Sequence, residues 1–181
     1  MSDCGATTPL QLFFWDLDAS RRNPPTSLGI MRPWIIAHLN ELTETDFDLL
    51  AKIPQKFSIV HCPRSHAYFG HSDFQFERLR ERDFNVCLGT DSLASNDDLS
   101  LFAEMRIFRD QFRVQTEKVL EMATVNAACA LEQRDRLGKI RRDFLADMIA
   151  LPFTKQPNIF ETILNFVGKV PWIMLHGKIS P

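Results

Sequence analysis

NVCLGTD, at residues 85–91, is the third of three short apolar runs that end in a polar side chain; the others are WIIAH at 34–38 and FSIVH at 57–61. The unbroken apolarity of WIIA at 34–37 is typical of a strand that is buried on both faces, and the other two runs have the composition of short strands. A segment with helical spacing follows each run, so strand and helix alternate three times. This alternation predicts parallel βαβ units with right-handed crossovers, and therefore an α/β fold.

The segments around these runs have their own signals. Thr43 and Asp46 open residues 42–53 with the spacing of a capping box, which predicts a helix there. Further predicted helices cover 73–82, 99–112, 116–131 and 157–167, predicted strands cover 146–152 and 170–174, and CPRSHAYFGHS at 62–72 is predicted to be a polar loop.

Composition excludes several classes of protein. The 181 residues have a formal net charge of −2 and no basic run, which argues against nucleic-acid binding. The apolar stretches are too short to span a membrane, and residues 1–15 lack the basic start of a secretory signal. Four widely spaced cysteines form no CxxC pair, so we expect reduced thiols in a cytoplasmic protein.

Polar side chains end the three strands at His38, His61 and Asp91. Ligands bind at the carboxyl ends of parallel strands, so these three groups are predicted to share one rim. Other roles stay open: Asp91 suits a turn or a helix cap, and His61 suits a hydrogen-bonded loop histidine. His66 and His71 follow His61 at five-residue steps, which match no usual zinc spacing, so we interpret them first as loop residues and second as substrate contacts.

Four longer stretches resemble a known family: residues 37–51, AHLNELTETDFDLLA; 60–71, VHCPRSHAYFGH; 85–106, NVCLGTDSLASNDDLSLFAEMR; and 120–131, LEMATVNAACAL. They are similar to the C-terminal part of the amidohydrolase superfamily, in the branch of chlorohydrolases and of cytosine, guanine and adenosylhomocysteine deaminases. The resemblance implies about the last three βα units of a TIM-like (β/α)8 metal-dependent hydrolase barrel, with closing strands of a flanking β-sandwich. The expected domains are an irregular N-terminal segment and linker at 1–32, the partial barrel at 33–145 and the sandwich strands at 146–181.

The resemblance also implies roles for individual residues. Asp91 matches the aspartate that ligates a divalent metal, zinc or iron, and accepts the proton of the attacking water. His38 matches the histidine that contacts the substrate or the oxygen of the tetrahedral intermediate. His61 and Ser65 match a loop that shapes the substrate pocket, and His66 stands in that loop where deaminases commonly have asparagine.

Parts of the family pattern are absent from this sequence. It has no His-x-His pair and no histidine before His38, so we expect that this chain alone does not hold a metal stably. Ala127, Glu132 and Asp143 stand where the family usually has glycines, which predicts relaxed backbone geometry at those three positions.

Three functions follow as hypotheses. The first is an apparently truncated metal-dependent hydrolase of non-peptide carbon–nitrogen bonds, which acts on a small amine or amide such as a purine or pyrimidine. The second is a catalytically inactive remnant or interaction module that needs a partner chain. The third is a self-contained α/β binding domain without a metal. An open barrel edge predicts a partner chain or self-association under the first two.

Overall fold

The computed structural model describes residues 34–52, 57–153 and 157–180. The predicted segment 1–32 therefore lies outside the described residues. Six strands are present in this part of the chain: β1 (Ile35–Ala37), β2 (Ser58–His61), β3 (Asn85–Leu88), β4 (Met148–Ala150), β5 (Trp172–Leu175) and β6 (Lys178–Ser180). Seven helices accompany them: α1 (Glu44–Lys52), α2 (Pro63–Phe69), α3 (Phe76–Arg80), α4 (Leu101–Phe112), α5 (Thr116–Ala123), α6 (Val125–Ala130) and α7 (Ile159–Leu164).

The first three strands form a parallel sheet in the order β1-β2-β3. Ile36 is paired with Ile59, and Ile59 with Val86, so these side chains share one face of the sheet. Ile59 and Val86 are buried on that face against the helices. The three predicted strand–helix cycles and the α/β fold are confirmed.

Helix α1 begins where its capping residues predict. The Asp46 carboxylate accepts a hydrogen bond from the Thr43 backbone N–H at 2.8 Å, and the Asp46 N–H donates to Thr43 Oγ1 at 3.3 Å. This reciprocal pair satisfies donors that the first turn of a helix leaves free. Phe47 and Leu50 then enter the core, in which Phe108 from α4 is also fully buried.

Two helix predictions are corrected by the structure. Residues 63–69, predicted as loop, form helix α2, because Pro63 suits the first helical position and Gly70, at φ +64°, ends the helix in the left-handed conformation. The single helix predicted over 116–131 is divided at Thr124, which has φ −126° and ψ −80°. The Thr124 hydroxyl donates to the Leu120 carbonyl at 2.7 Å, and such back-bonding to the preceding turn often bends helices.

The last three strands form an antiparallel sheet in the order β4-β5-β6. The two predicted strands are β4 and β5, whereas β6 was not predicted. His176 and Gly177 connect β5 to β6 with φ +50° and +73°, the signature of a two-residue hairpin turn. The division of the chain into a barrel part and a sandwich part stays a prediction.

Two predicted relaxations did not occur. Glu132 has φ +57° and Asp143 has φ +70°, so both residues keep the left-handed conformation that the family's glycines would adopt without steric cost. The expectation of relaxed geometry is therefore wrong at these two positions, whereas Ala127, the third position, lies within helix α6.

The β1 strand is the outer strand of the parallel sheet, and it is partly uncovered. Trp34 is 43% exposed and Ile35 is 45% exposed.

No helix in the described part of the chain is long and apolar enough to cross a membrane.

Candidate active site

His38 and Asp91 meet at the carboxyl edge of the parallel sheet. His38 Nε2 lies 3.7 Å from Asp91 Oδ2, although the two residues follow different strands. Parallel strands end at the same edge of a sheet, which is why residues so distant in sequence come together. His38, Leu39 and Asp91 all have positive φ, at +68°, +54° and +56°. Non-glycine residues adopt this conformation at an energetic cost and are concentrated at functional sites.

The Asp91 carboxylate is held by three donors besides its contact with His38. The Ser65 hydroxyl donates to Oδ2 at 2.6 Å, the Ser95 hydroxyl donates to Oδ2 at 3.3 Å, and the Ser92 backbone N–H donates to Oδ1 at 2.8 Å. The Ser65 hydrogen bond is the main reason that the pKa of Asp91 is lowered from the ordinary 3.8. Asp91 is therefore an ionised hydrogen-bond acceptor at neutral pH.

Helix α2 places Ser65 and His66 at the same edge. Ser65 is buried beneath Asp91, whereas His66 contacts the segment that follows His38. His66 Nδ1 lies 3.0 Å from the Asn40 side-chain oxygen, and both residues are largely buried. Burial, followed by the nearby charge of His71, lowers the pKa of His66. His66 thus connects the α2 segment to the segment that carries His38.

His61 ends β2, and its ring lies in the helical layer against Phe74 and Phe108. Its side chain is fully buried, and its ring is stacked on Phe74 with centroids 3.9 Å apart and planes 5° from parallel. Neither ring nitrogen has a hydrogen-bond partner among the described residues. Strand alternation places His61 on the face of Ile59, toward the helices. The rings of His61 and His66 meet in an edge-to-face arrangement with their centroids 5.1 Å apart. The structure thus brings His38, Ser65 and Asp91 together and leaves His61 in the helical layer.

Two residues at this site were not singled out from the sequence. Asn40 is the partner of His66, and Glu104 is a fully buried carboxylate beneath the site. A sequence signal for Glu104 exists, because it lies at helical spacing from Leu101 and Phe108 on the apolar face of α4. A charged residue on such a face is rarely buried without a polar partner.

These contacts define a polar site at the carboxyl edge of a parallel α/β sheet, where α/β-barrel enzymes have their active sites. The chain matches the model of the Amidohydrolase family over residues 24–179 and belongs to that family. It is 34% identical over 142 residues to a 5-methylthioadenosine/S-adenosylhomocysteine deaminase of Clostridium tetani, and this match covers 74% of this chain and 32% of the relative. It is 35% identical over 169 residues to a 5-methylthioadenosine/S-adenosylhomocysteine deaminase of Syntrophobacter fumaroxidans, and that match covers 84% of this chain and 38% of the relative.

A solved structure agrees with these sequence matches. An adenosine deaminase from Xanthomonas campestris with bound zinc has a TM-score of 0.69 and 28% identity, and the match covers 80% of this chain and 36% of that structure. The predicted fold, part of a TIM-like hydrolase barrel, is therefore confirmed. The chain spans about a third of the length of the relatives it matches.

Family membership implies a divalent metal. Within residues 34–52, 57–153 and 157–180, however, no group of three or more His, Cys, Asp or Glu side chains could hold a metal ion. A catalytic zinc site needs about three protein ligands. The described residues form no such set around Asp91.

Proposed function

We propose that this chain forms part of a hydrolase that acts on carbon–nitrogen bonds other than peptide bonds, in the manner of a deaminase. The observation that carries the proposal is the His38–Asp91 contact at the carboxyl edge of the sheet, with Asp91 fixed by Ser65. Similarity to deaminases over most of this chain supports it.

In the proposed reaction, Asp91 accepts a proton from a water molecule that attacks the carbon bearing the amino group. The ionised state of Asp91, maintained by its hydrogen bonds, suits it to accept that proton. His38 contacts the oxygen of the resulting tetrahedral intermediate. The nitrogen that took up the C=N electron pair receives the hydroxyl proton of the intermediate, and the proton held by Asp91 passes to the amino group. The carbon–nitrogen bond to that group then breaks, ammonia leaves, and the carbon–oxygen double bond forms.

The substrate class that we propose is an adenosine derivative or a similar planar amine. This choice is supported by the relatives, which are named as deaminases of adenosine or of adenosine derivatives. His61, Ser65 and His66 are the predicted substrate contacts, and these assignments stay predictions. For His61, contact with a substrate requires that the ring leave its stack on Phe74. The metal of the complete site is proposed to be zinc or iron, with Asp91 as one ligand.

The remaining ligands are proposed to come from the other barrel strands. These strands are encoded either upstream in the same polypeptide or in a partner chain, and they would pair with the exposed β1 edge. Without them, we expect self-association through Trp34 and Ile35, which light scattering on the purified chain measures. A clean monomer at all concentrations contradicts this expectation. The free thiols of Cys62 and Cys87 agree with the proposed cytoplasmic location.

The alternative function is an inactive remnant or an interaction module. The incomplete set of metal donors among the described residues favours it. The two hypotheses differ in what they require of the His38–Asp91 pair: a hydrolase depends on both side chains, whereas an interaction module does not.

A chimera tests the proposal. Residues 33–181 replace the corresponding part of the Syntrophobacter fumaroxidans deaminase, which is 35% identical to this chain. We expect the chimera to bind metal and to release ammonia from 5-methylthioadenosine. The variants D91N and H38N are expected to lower kcat by about 100-fold or more, since each removes a group used in the transition state. A folded, metal-loaded chimera without turnover contradicts the proposal.

A further inference from the structure

Glu104 is a carboxylate buried completely beneath the candidate site. It lies on helix α4 between the apolar residues Leu101 and Phe108, with no exposed surface. Each of its two oxygens accepts one hydrogen bond from a segment of the site: Oε2 from the Arg64 backbone N–H at 2.9 Å, and Oε1 from the Asn96 side chain at 2.6 Å. A buried carboxylate is costly unless its oxygens are paired in this way.

The first link runs through helix α2. Pro63 at its start has no N–H, and Cys62 before it makes no side-chain cap, so Arg64 has the first backbone donor of this helix. Glu104 accepts from that donor and ties the first turn of α2 to α4. The next residue, Ser65, donates to Asp91 Oδ2. Glu104 is thus connected to one side of Asp91 through two hydrogen bonds.

The second link runs through the segment that follows β3. The Asn96 side-chain amide donates both to Glu104 Oε1 and to the Thr90 carbonyl, the latter at 2.8 Å. Thr90 directly precedes Asp91, whose φ is +56°. Glu104 is therefore connected to Asp91 from the backbone side as well.

We propose that Glu104 is a positioning residue that holds Asp91 in its catalytic orientation, through Ser65 on one side and through Asn96 and Thr90 on the other. The catalytic role of Asp91 rests on the proposed function. The positioning itself is a property of the folded chain. An amide or an apolar side chain at residue 104 would leave at least one of the two donors without an acceptor.

The test is made on the full 181-residue chain by amide proton NMR with the variant E104L. Three amides serve as reporters: Arg64, which donates to Glu104; Ser92, which donates to Asp91 Oδ1; and Gly89, which donates to the His61 carbonyl at the end of the sheet. The control is E161L, because the Glu161 carboxylate also accepts side-chain hydrogen bonds, from Thr116 and Arg109, and lies away from Asp91. Glu161 is half-buried, whereas Glu104 is fully buried.

We expect E104L to speed exchange of the Arg64 amide by roughly 10- to 100-fold, which corresponds to the loss of a hydrogen bond to a charged group. The Ser92 amide resonance is expected to move upfield, because the Asp91 carboxylate leaves its place, while Gly89 is unchanged. E161L is expected to alter none of the three. A Ser92 resonance that keeps its position in E104L overturns the proposal, and so does an equal change at Gly89, which would indicate a purely structural role.

A second variant tests the route through Ser65. S65A is expected to move the Ser92 resonance by itself, and the double variant S65A/E104L is expected to move it little further; strictly additive shifts overturn this route. Where E104L does not fold, E104Q carries the same comparison with one acceptor retained. The readout is the hydrogen bond at Asp91 and not turnover, so failure here is distinct from failure of the proposed hydrolase activity.

Discussion

Acidification from about pH 7 to about pH 5 is expected to destabilise this chain through His61. Burial, followed by the charges of His66 and His38, lowers the pKa of His61 from 6.5 to about 3. In the unfolded chain the ring is solvated and titrates near 6.5. Between these two values the unfolded chain binds one more proton than the folded chain, so the free energy of unfolding falls as the pH falls.

The magnitude follows from the two pKa values of His61. Each pH unit below 6.5 removes about 1.4 kcal/mol from the free energy of unfolding, so the loss reaches about 2 kcal/mol near pH 5. The comparison variant is H61F, which keeps a flat ring against Phe74 but cannot be protonated. Since the His61 ring nitrogens make no hydrogen bond with the described residues, the phenylalanine substitution removes no hydrogen bond among them.

Urea denaturation of both chains at the two pH values measures the difference. The wild type is expected to lose about 2 kcal/mol more than H61F on acidification. His66 is present in both chains, so its own contribution cancels. H176N, at an exposed histidine of the β5–β6 hairpin, is the control and is expected to behave as the wild type. Equal losses in wild type and H61F would refute the burial argument, because His61 would then be protonated without unfolding.

Four shorter predictions concern single residues. T43A is expected to cost about 1 kcal/mol in urea denaturation, since it removes the α1 cap. G138A is expected to destabilise the chain more than G168A does, although both glycines have positive φ. A Cβ at Gly138 would lie 2.8 Å from the Thr124 carbonyl oxygen, whereas a Cβ at Gly168 would have nothing within 4 Å. Equal losses in the free energy of unfolding would contradict this prediction. E132G is expected to raise the free energy of unfolding by about 0.5–1 kcal/mol, because it relieves a left-handed non-glycine residue. Elemental analysis of the purified chain is expected to find no stoichiometric zinc or iron, and about one tightly held metal that D91A abolishes would contradict this.

Local sequence patterns predicted most of the elements around the site. The capping pair Thr43–Asp46 and the apolar runs ending at His38 and Asp91 act over a few residues, so their structural consequences are visible in the sequence. Helix α2 was missed because its polar residues suggested a loop, although Pro63 and Gly70 mark its two ends. A long-range hydrogen bond from the Arg64 N–H to Glu104 also holds its first turn.

Hydrophobic periodicity and capping are local, so the three strand–helix cycles and the polar residues near the strand ends could be predicted from the residue order alone. Which of those polar side chains meet depends on how the strands pair and the helices pack. His61 is the last residue of β2, and strand alternation directs its ring into the helical layer. Asp91 lies three residues beyond β3, where its backbone is left-handed and its carboxylate contacts His38. The orientation of Asp91 depends on Ser65, Asn96 and Glu104, which come together only when the parallel strands pair and helix α4 packs against them.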